Sequence, residues 1–351
     1  MKKLLSILAM IFLITSCGED SSGPSSTSDK TMWVFENSHN SEKSILARIN
    51  VNTGEVELAI DSRIYHYSQP VNGKFAYSRD TLLKRFLCLS DIYLKNEVVL
   101  DSASDLDTFY NQEVSPKGDK VAYVYREDNS KEEYFYIINS DGSGKKIIND
   151  FPIDKFMFSP DGSKLAYVTN GWSTIVGIVY DVNTGESRTV FSINEERYIY
   201  SQSVDWSPSG DELLISYVAE DEEYNYNAYV YKTRSDGSGV PETIFQSEKY
   251  FAIEGHVSRF FNNGSDIFTA LIVNDMESIL YKSDSNGNMT ETEVNHERWY
   301  IPDYYPSYSQ NEVLMGIVNE VQADLYVYNV KTGDSQLKVS KLNQKLESLL
   351  K

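Results

Sequence analysis

The chain is poor in the residues on which several protein classes depend. Among 351 residues there are two Cys, nine Pro and four His. Two cysteines exclude a disulfide-stapled scaffold. The four histidines show no H-x-H or H-x-x-x-H spacing, so no local metal signature is present. Positive charge is scarce as well: 32 Lys and Arg stand against 52 Asp and Glu, for a formal charge of -20. Clustered Lys and Arg are what neutralise phosphate, and this balance excludes non-specific binding of nucleic acid or anionic lipid. There is no G-x-S-x-G nucleophile elbow, and no Gly-rich segment is followed by G-K-[ST], so neither a serine-hydrolase turn nor a phosphate loop is signalled. Helical periodicity is missing outside the C-terminal tail. What the chain does have is 41% hydrophobic residues and 26 Tyr. That is too many core formers for disorder, and tyrosine suits strands and amphipathic surfaces, where its ring is buried and its hydroxyl stays polar.

The N-terminus is organised as an export signal. Met1-Lys2-Lys3 is followed by an apolar run from Leu4 to Ile14, and then by Thr15, Ser16 and Cys17. The run is too short for a bilayer span and has the order of n-region, h-region and small-residue cleavage site. Leu13-Ile14-Thr15-Ser16-Cys17 resembles a bacterial lipobox, which implies lipidation of Cys17, palmitate included, with Cys17 becoming the mature N-terminus. Gly18, in place of the Asp that retains lipoproteins at the inner membrane, implies the outer membrane. Glu19-Asp20 is similar to the acidic export signal of surface lipoproteins in Bacteroidetes-like bacteria. Residues 1–17 are thus expected to be a signal peptide and residues 18–30 a flexible Ser/Gly linker. Cys88, left alone in an apolar run, is expected to be a buried, inert thiol.

The remainder repeats itself. Ser115-Pro-Lys-Gly-Asp-Lys-Val-Ala-Tyr-Val, Ser159-Pro-Asp-Gly-Ser-Lys-Leu-Ala-Tyr-Val and Ser207-Pro-Ser-Gly-Asp-Glu-Leu-Leu-Ile-Ser nearly superimpose. With weaker copies, the turn positions fall at 73, 118, 162, 210, 264 and 311, at intervals of 45, 44, 48, 54 and 47. A second family of turns lies midway: Asn52-Thr53-Gly54-Glu55, Lys95-Asn96, Ser140-Asp-Gly-Ser-Gly144, Asn183-Thr-Gly-Glu186, Ser235-Asp-Gly-Ser-Gly239, Ser283-Asp-Ser-Asn-Gly287 and Lys331-Thr-Gly-Asp334. Pro fixes φ, Asp or Asn caps the turn, and Gly takes the positive φ. Aromatic and β-branched runs flank each turn. Four strands per unit of about 45 residues, with two alternating turn types, predict an all-β fold of four-stranded antiparallel propeller blades.

These motifs resemble the TolB-like (WD40-like) β-propeller repeat family over residues 31–340, carried by the run beginning at Ser159 and the two Ser-Asp-Gly-Ser-Gly hairpins. Seven blades are expected, with six as the alternative. The first unit lacks an inner strand in this reading, and a seven-bladed ring would need it from the C-terminus. Tail residues 341–351 could supply it, although the spacing of Leu342, Leu346, Leu349 and Leu350 reads as a short amphipathic helix.

A blade of this kind puts the loop between its second and third strands on one face with the junction to the next blade. Those junctions carry Tyr65, Tyr67, Tyr110, Phe151, Tyr198, Tyr200, Tyr250, Trp299, Tyr300 and Tyr304. The loops carry Glu127-Asp128, Glu132-Glu133 and Glu220-Asp221-Glu222-Glu223. One face is therefore expected to be aromatic at its centre and acidic at its rim, a surface for an envelope protein, a peptide or a glycan. The blander alternative is that the aromatics wedge blades together and the acids only solvate loops. His66, His256 and His296 are the candidate ligands should the channel hold a metal; no cofactor is expected. The expected function is a monomeric, lipid-anchored, non-catalytic binding scaffold of the cell envelope. The competing class is a propeller polysaccharide lyase or glycosidase with its site at the channel.

Overall fold

The structure, a computed structural model of the chain, describes residues 11–16, 31–37, 44–50, 53, 55–62, 64–68, 71–81, 83–171, 174–194, 198–250, 253–261, 264–273, 277–283, 287–292, 312–318, 323–329 and 335–340. These form seven antiparallel meanders spanning residues 11–62, 64–104, 108–149, 153–194, 198–246, 253–292 and 312–339. The first six have four strands each and the seventh has three.

Burial falls from the early strands of a sheet to its last. Glu212–Glu220 is buried at seven consecutive positions, a run that only a strand covered on both faces can sustain. Lys146–Asn149, the last strand of the third sheet, has no fully buried residue. The apolar clusters accordingly lie between sheets. Leu87 and Leu89 of the second sheet meet Val121 and Tyr123 of the third. Phe135 of the third meets Phe156 and Tyr167 of the fourth. Val168 and Val179 of the fourth meet Trp206 and Tyr217 of the fifth. Val218 and Val230 of the fifth meet Phe260 and Leu271 of the sixth. The third, fourth and fifth sheets are thus each sandwiched by their neighbours in chain order.

The repeated turns hold as their chemistry dictates. Gly118, Gly162 and Gly210 donate their N–H to the carbonyls of Ser115, Ser159 and Ser207 at 2.7, 2.8 and 2.9 Å. The same serine hydroxyls accept the N–H of Lys120, Lys164 and Glu212 at 3.0, 2.9 and 3.0 Å, which explains serine at the head of each motif. The second turn family sits beside the first: the N–H groups of Ser140, Val182 and Ser235 bond the carbonyls of Asp119, Ser163 and Asp211. Both families therefore occupy one end of the sheets. The opposite end carries the loops between second and third strands and the sheet-to-sheet junctions.

The tyrosines find their places as cross-strand pairs. Tyr123 faces Tyr136 and Tyr125 faces Tyr134 in the third sheet, and Tyr217 faces Tyr229 in the fifth. Their hydroxyls meet the abundant carboxylates: Tyr123 donates to Asp101 at 2.6 Å, and Tyr77 donates to Glu97. Cys88 is fully buried, and burial pushes its thiol up to about 12.

The first sheet departs from expectation. Its fourth strand is Ile11–Ser16, paired with Thr31–Asn37 from Ile11↔Glu36 to Ser16↔Thr31, and not a segment of the C-terminal tail. An Ile-Phe-Leu-Ile-Thr-Ser run is β-branched and aromatic, so the same residues that read as an export segment also satisfy a strand. The tail, residues 341–351, lies outside the described residues, as do Cys17 and the linker.

Candidate functional site

The loop-and-junction end of the sheets gathers exposed apolar side chains. Leu83 lies in the loop between second and third strands of the second sheet, and Leu106 in the junction from the second sheet to the third. Phe151 follows the third sheet, Tyr198 opens the fifth, and Tyr224 stands in the fifth sheet's own loop. Phe151, Tyr198 and Tyr224 are 65%, 49% and 76% exposed, values that no core aromatic shows.

The acids between them are ordered. Asp221 Oδ1 accepts the N–H of Glu223 and Asn225, both at 2.9 Å, while its Oδ2 takes Lys249 Nζ at 2.7 Å. The bonds from Lys249 and Asn225 hold the Asp221 carboxyl well below the usual range. In the third sheet, Asp107 Oδ1 accepts the N–H of Asp128 at 3.0 Å and its Oδ2 takes the Tyr125 hydroxyl at 3.0 Å. Burial works against that charge, and the bonds from Asp128, Ser104 and Tyr125 outweigh it, leaving the carboxyl below its ordinary value. Lys131 pairs with Asp128 at 2.6 Å. The acidic loops are thus built surfaces, fixed by the carboxylates nearest the sheet, with Glu132, Glu222 and Glu223 exposed at their tips.

The aromatics proposed from sequence divide. Tyr198 is exposed. Tyr67 and Tyr110 are half-buried and pack against the clusters of the second sheet and of the third and fourth. Tyr250 is half-buried, its hydroxyl 2.8 Å from that of Tyr281, its backbone bridged to Tyr226. Tyr65 and Tyr200 lie on strands. Trp299, Tyr300, Tyr304 and His296 fall outside the described residues. Leu83 and Leu106 went unnoticed in the sequence because a lone leucine in a loop carries no pattern.

A second constellation arises where the first strands of successive sheets approach one another. Two residues before the turn serine, Glu113 of the third sheet accepts the N–H of Phe158 in the fourth at 3.0 Å. At the same phase, Asp205 of the fifth accepts the N–H of Phe260 in the sixth at 2.9 Å. Trp206 adds the reverse link, its indole N–H reaching the Met157 carbonyl at 3.0 Å. Asp205 is fully buried and has Arg259 as counter-ion, Nη1 to Oδ1 3.9 Å. Among the described residues Glu113 has no such counter-ion. Burial pushes its carboxyl up to about 8, the Phe158 N–H and the Arg259 charge opposing and Asp205 adding to the shift. His256 bonds Ser216 Oγ through Nε2 at 3.0 Å, and its Nδ1 is buried with no partner. Burial pulls this imidazole down to about 4, with Lys155 and Arg259 acting in the same direction. His66 is exposed, its ring centroid 6.2 Å from that of Tyr110.

No family model matches the chain and no curated protein matches its sequence. Solved structures do match. A prolyl endopeptidase superposes on 96% of this chain with a TM-score of 0.63 at 12% identity, and this chain spans 50% of that one. The β-propeller domain of the Trilobed protease from Pyrococcus furiosus superposes with a TM-score of 0.59 at 11% identity, over 95% of this chain and 97% of that domain. The fold is a β-propeller. TolB from Acinetobacter baumannii overlaps over 75% of this chain and 67% of its own, with a TM-score of 0.46 at 14% identity. The chain spans about half the length of the peptidases that it matches, and the likeness is one of fold.

In a propeller the first strands surround a central channel. Glu113, Lys155, Asp205, His256 and Arg259 all lie on such strands, and so does His66. The sequence signal that could have found the pair Glu113 and Asp205 is their shared place, two residues before Ser115 and Ser207. Among the described residues no group of three or more His, Cys, Asp or Glu is arranged to hold a metal ion, and His66 and His256 sit on the second and sixth sheets. Chemically, the loop face offers apolar contact beside negative charge. The channel offers a carboxyl that is pushed above the ordinary carboxylate range.

Proposed function

We propose that this chain is a cell-envelope lipoprotein, tethered to the outer membrane through Cys17, whose propeller is a non-catalytic binding scaffold. The observation that carries the reading is the loop face, where Phe151, Tyr198 and Tyr224 stand exposed at three places between ordered acidic loops. Rigid aromatic side chains ringed by fixed polar groups are the usual material of a protein-binding surface. The partner would be an envelope protein, a peptide or a glycan. The tether is supported by the lipobox-like Leu13–Cys17 and the Ser/Gly-rich stretch after it. Cleavage before Cys17 would remove Ile11–Ser16 and leave Thr31–Asn37 as an edge. A ring without full closure is within the range of the fold, since the Trilobed protease propeller has an open velcro topology.

Metabolic labelling with palmitate tests the anchor: label in the outer-membrane fraction, lost in Cys17→Ser, is the expected result. A wild-type chain that carries no lipid would sink it. A second reading, a glycan-cleaving propeller working at the channel, draws on Glu113 and His256, whose environments push an acid up and a base down. Turnover in a screen of envelope polysaccharides, lost in Glu113→Gln, would favour that reading over the scaffold.

A further inference from the structure

Among the described residues, five of the eleven exposed large hydrophobic side chains, Leu83, Leu106, Phe151, Tyr198 and Tyr224, lie at the loop-and-junction end. In chain order, and therefore around the propeller, one acidic loop lies between Leu106 and Phe151 and another between Tyr198 and Tyr224. Leu106 is followed by the loop bearing Glu127, Asp128 and Glu132, then Phe151, then Tyr198, then the loop bearing Glu222 and Glu223 with Tyr224 at its end. Tyr224 adopts φ 64°, a left-handed conformation uncommon for a bulky aromatic. It is held there by its own N–H to the Asp221 carbonyl at 3.1 Å and by the Asp221 cap on Asn225. A loop backbone already held in one conformation has little left to order when a partner covers it.

We propose that this arc docks an extended protein segment in which apolar side chains alternate with Lys or Arg, the apolar groups seating against Phe151, Tyr198 and Tyr224 and the cations against Glu132, Glu222 and Glu223. The proposal rests on the loop face being a binding surface and names the chemistry of what binds. Charge complementarity selects the occupant. A chain of charge -20 attracts a cationic segment over long range and repels an acidic one, whereas a neutral glycan would gain only short-range hydrogen bonds from these carboxylates. The apolar anchors then supply the short-range part, which charge alone does not.

The test uses the full chain and fluorescence anisotropy with a labelled twelve-residue peptide of alternating Leu and Lys. Its counterpart of alternating Leu and Glu and a neutral glucan oligosaccharide serve as competitors. The Leu–Lys peptide should bind and weaken as salt rises. The double variant Phe151→Ser with Tyr224→Ser, both exposed and outside the core, should weaken it at least tenfold with an unchanged melting temperature. The double variant Tyr93→Ser with Val240→Ser, exposed apolar groups on the opposite end, should stay within twofold of wild type. Equal loss in both double variants, or none in either, would show diffuse charge adsorption and overturn the proposal, as would competition by the Leu–Glu peptide or the glucan. The scaffold reading fails separately: it falls if cross-linking of the chain to envelope proteins in its own cells is indifferent to the Phe151 and Tyr224 changes.

Discussion

Glu113 and His256 carry opposite consequences of the same burial. A carboxyl raised from 4.5 to about 8 binds a proton in the folded state that the unfolded chain has released, so stability falls as pH rises through that window. An imidazole lowered from 6.5 to about 4 does the reverse, and stability rises with pH between those values. Each proton contributes a slope of about 1.4 kcal/mol per pH unit. From 4.5 to 6.5 the two slopes cancel; from 6.5 to 8 the Glu113 slope stands alone. Urea midpoints of the wild type should therefore decline from pH 6.5 to 8, and Glu113→Gln should flatten that decline while keeping the Phe158 bond through its amide oxygen. A variant that declines as steeply as wild type would remove Glu113 as the cause. Cys88 makes a simpler case: fully buried, with its thiol pushed up to about 12, it should resist Ellman's reagent in the native protein and react once urea unfolds it. That thiol was legible in the sequence, since an apolar run with one cysteine reads as core. Glu113 was not, because a charged residue in a strand reads as solvent-facing, and only the neighbouring sheet supplies the N–H that makes its burial tolerable.

At the scale of turns and strands, sequence reasoning reached furthest where local chemistry is sufficient. Ser-Pro-x-Gly needs only a fixed φ, a hydroxyl acceptor and a positive φ, and all three are written into four residues. Less visible is that successive turns pack on each other. A Cβ at Gly264, φ +87°, would stand 2.8 Å from Pro208 Cδ of the preceding sheet's turn, whereas at Gly239, φ +84°, it would meet nothing within 4 Å. Both glycines take a left-handed conformation, so alanine at either costs about 1–2 kcal/mol in backbone strain. Only Gly264→Ala adds a clash with a rigid ring, which costs about 1 kcal/mol or more. Gly264→Ala should thus lower the urea midpoint clearly more than Gly239→Ala; equal losses would mean that the turns do not bear on one another. The aromatic junctions show the same limit of local reasoning. Tyr67, Tyr110 and Tyr198 all belong to the first strands of their sheets, yet the first two lie half-buried against sheet clusters and only Tyr198 stands exposed. Phase along the chain places a residue at a junction; the size of its neighbours decides whether it wedges two sheets or faces a partner.

Across the whole molecule, one short segment is asked to serve two purposes. Ile11–Ser16 completes the first sheet beside Thr31–Asn37, and the same residues form the apolar run ahead of a lipobox-like cysteine. Processing at Cys17 would expose Thr-Met-Trp-Val-Phe-Glu-Asn as an edge, an apolar template that folded proteins seldom leave open because it pairs with other chains. The remaining strand-sized material at the far end of the chain is residues 341–351. We expect the processed protein to refill the edge from there. Hydrogen exchange resolved by residue should then show the alternate Thr31–Asn37 amides that face away from Ser44–Asn50 protected in the processed chain and unprotected once residues 341–351 are deleted. Lys120–Arg126, buried within the third sheet, should keep its protection in both. Rapid exchange at those Thr31–Asn37 amides in the intact processed chain would mean that the edge stays open. Protection that survives deletion of the tail would mean that Ile11–Ser16 is retained or that another segment takes its place, and the mass of the purified chain separates those two outcomes.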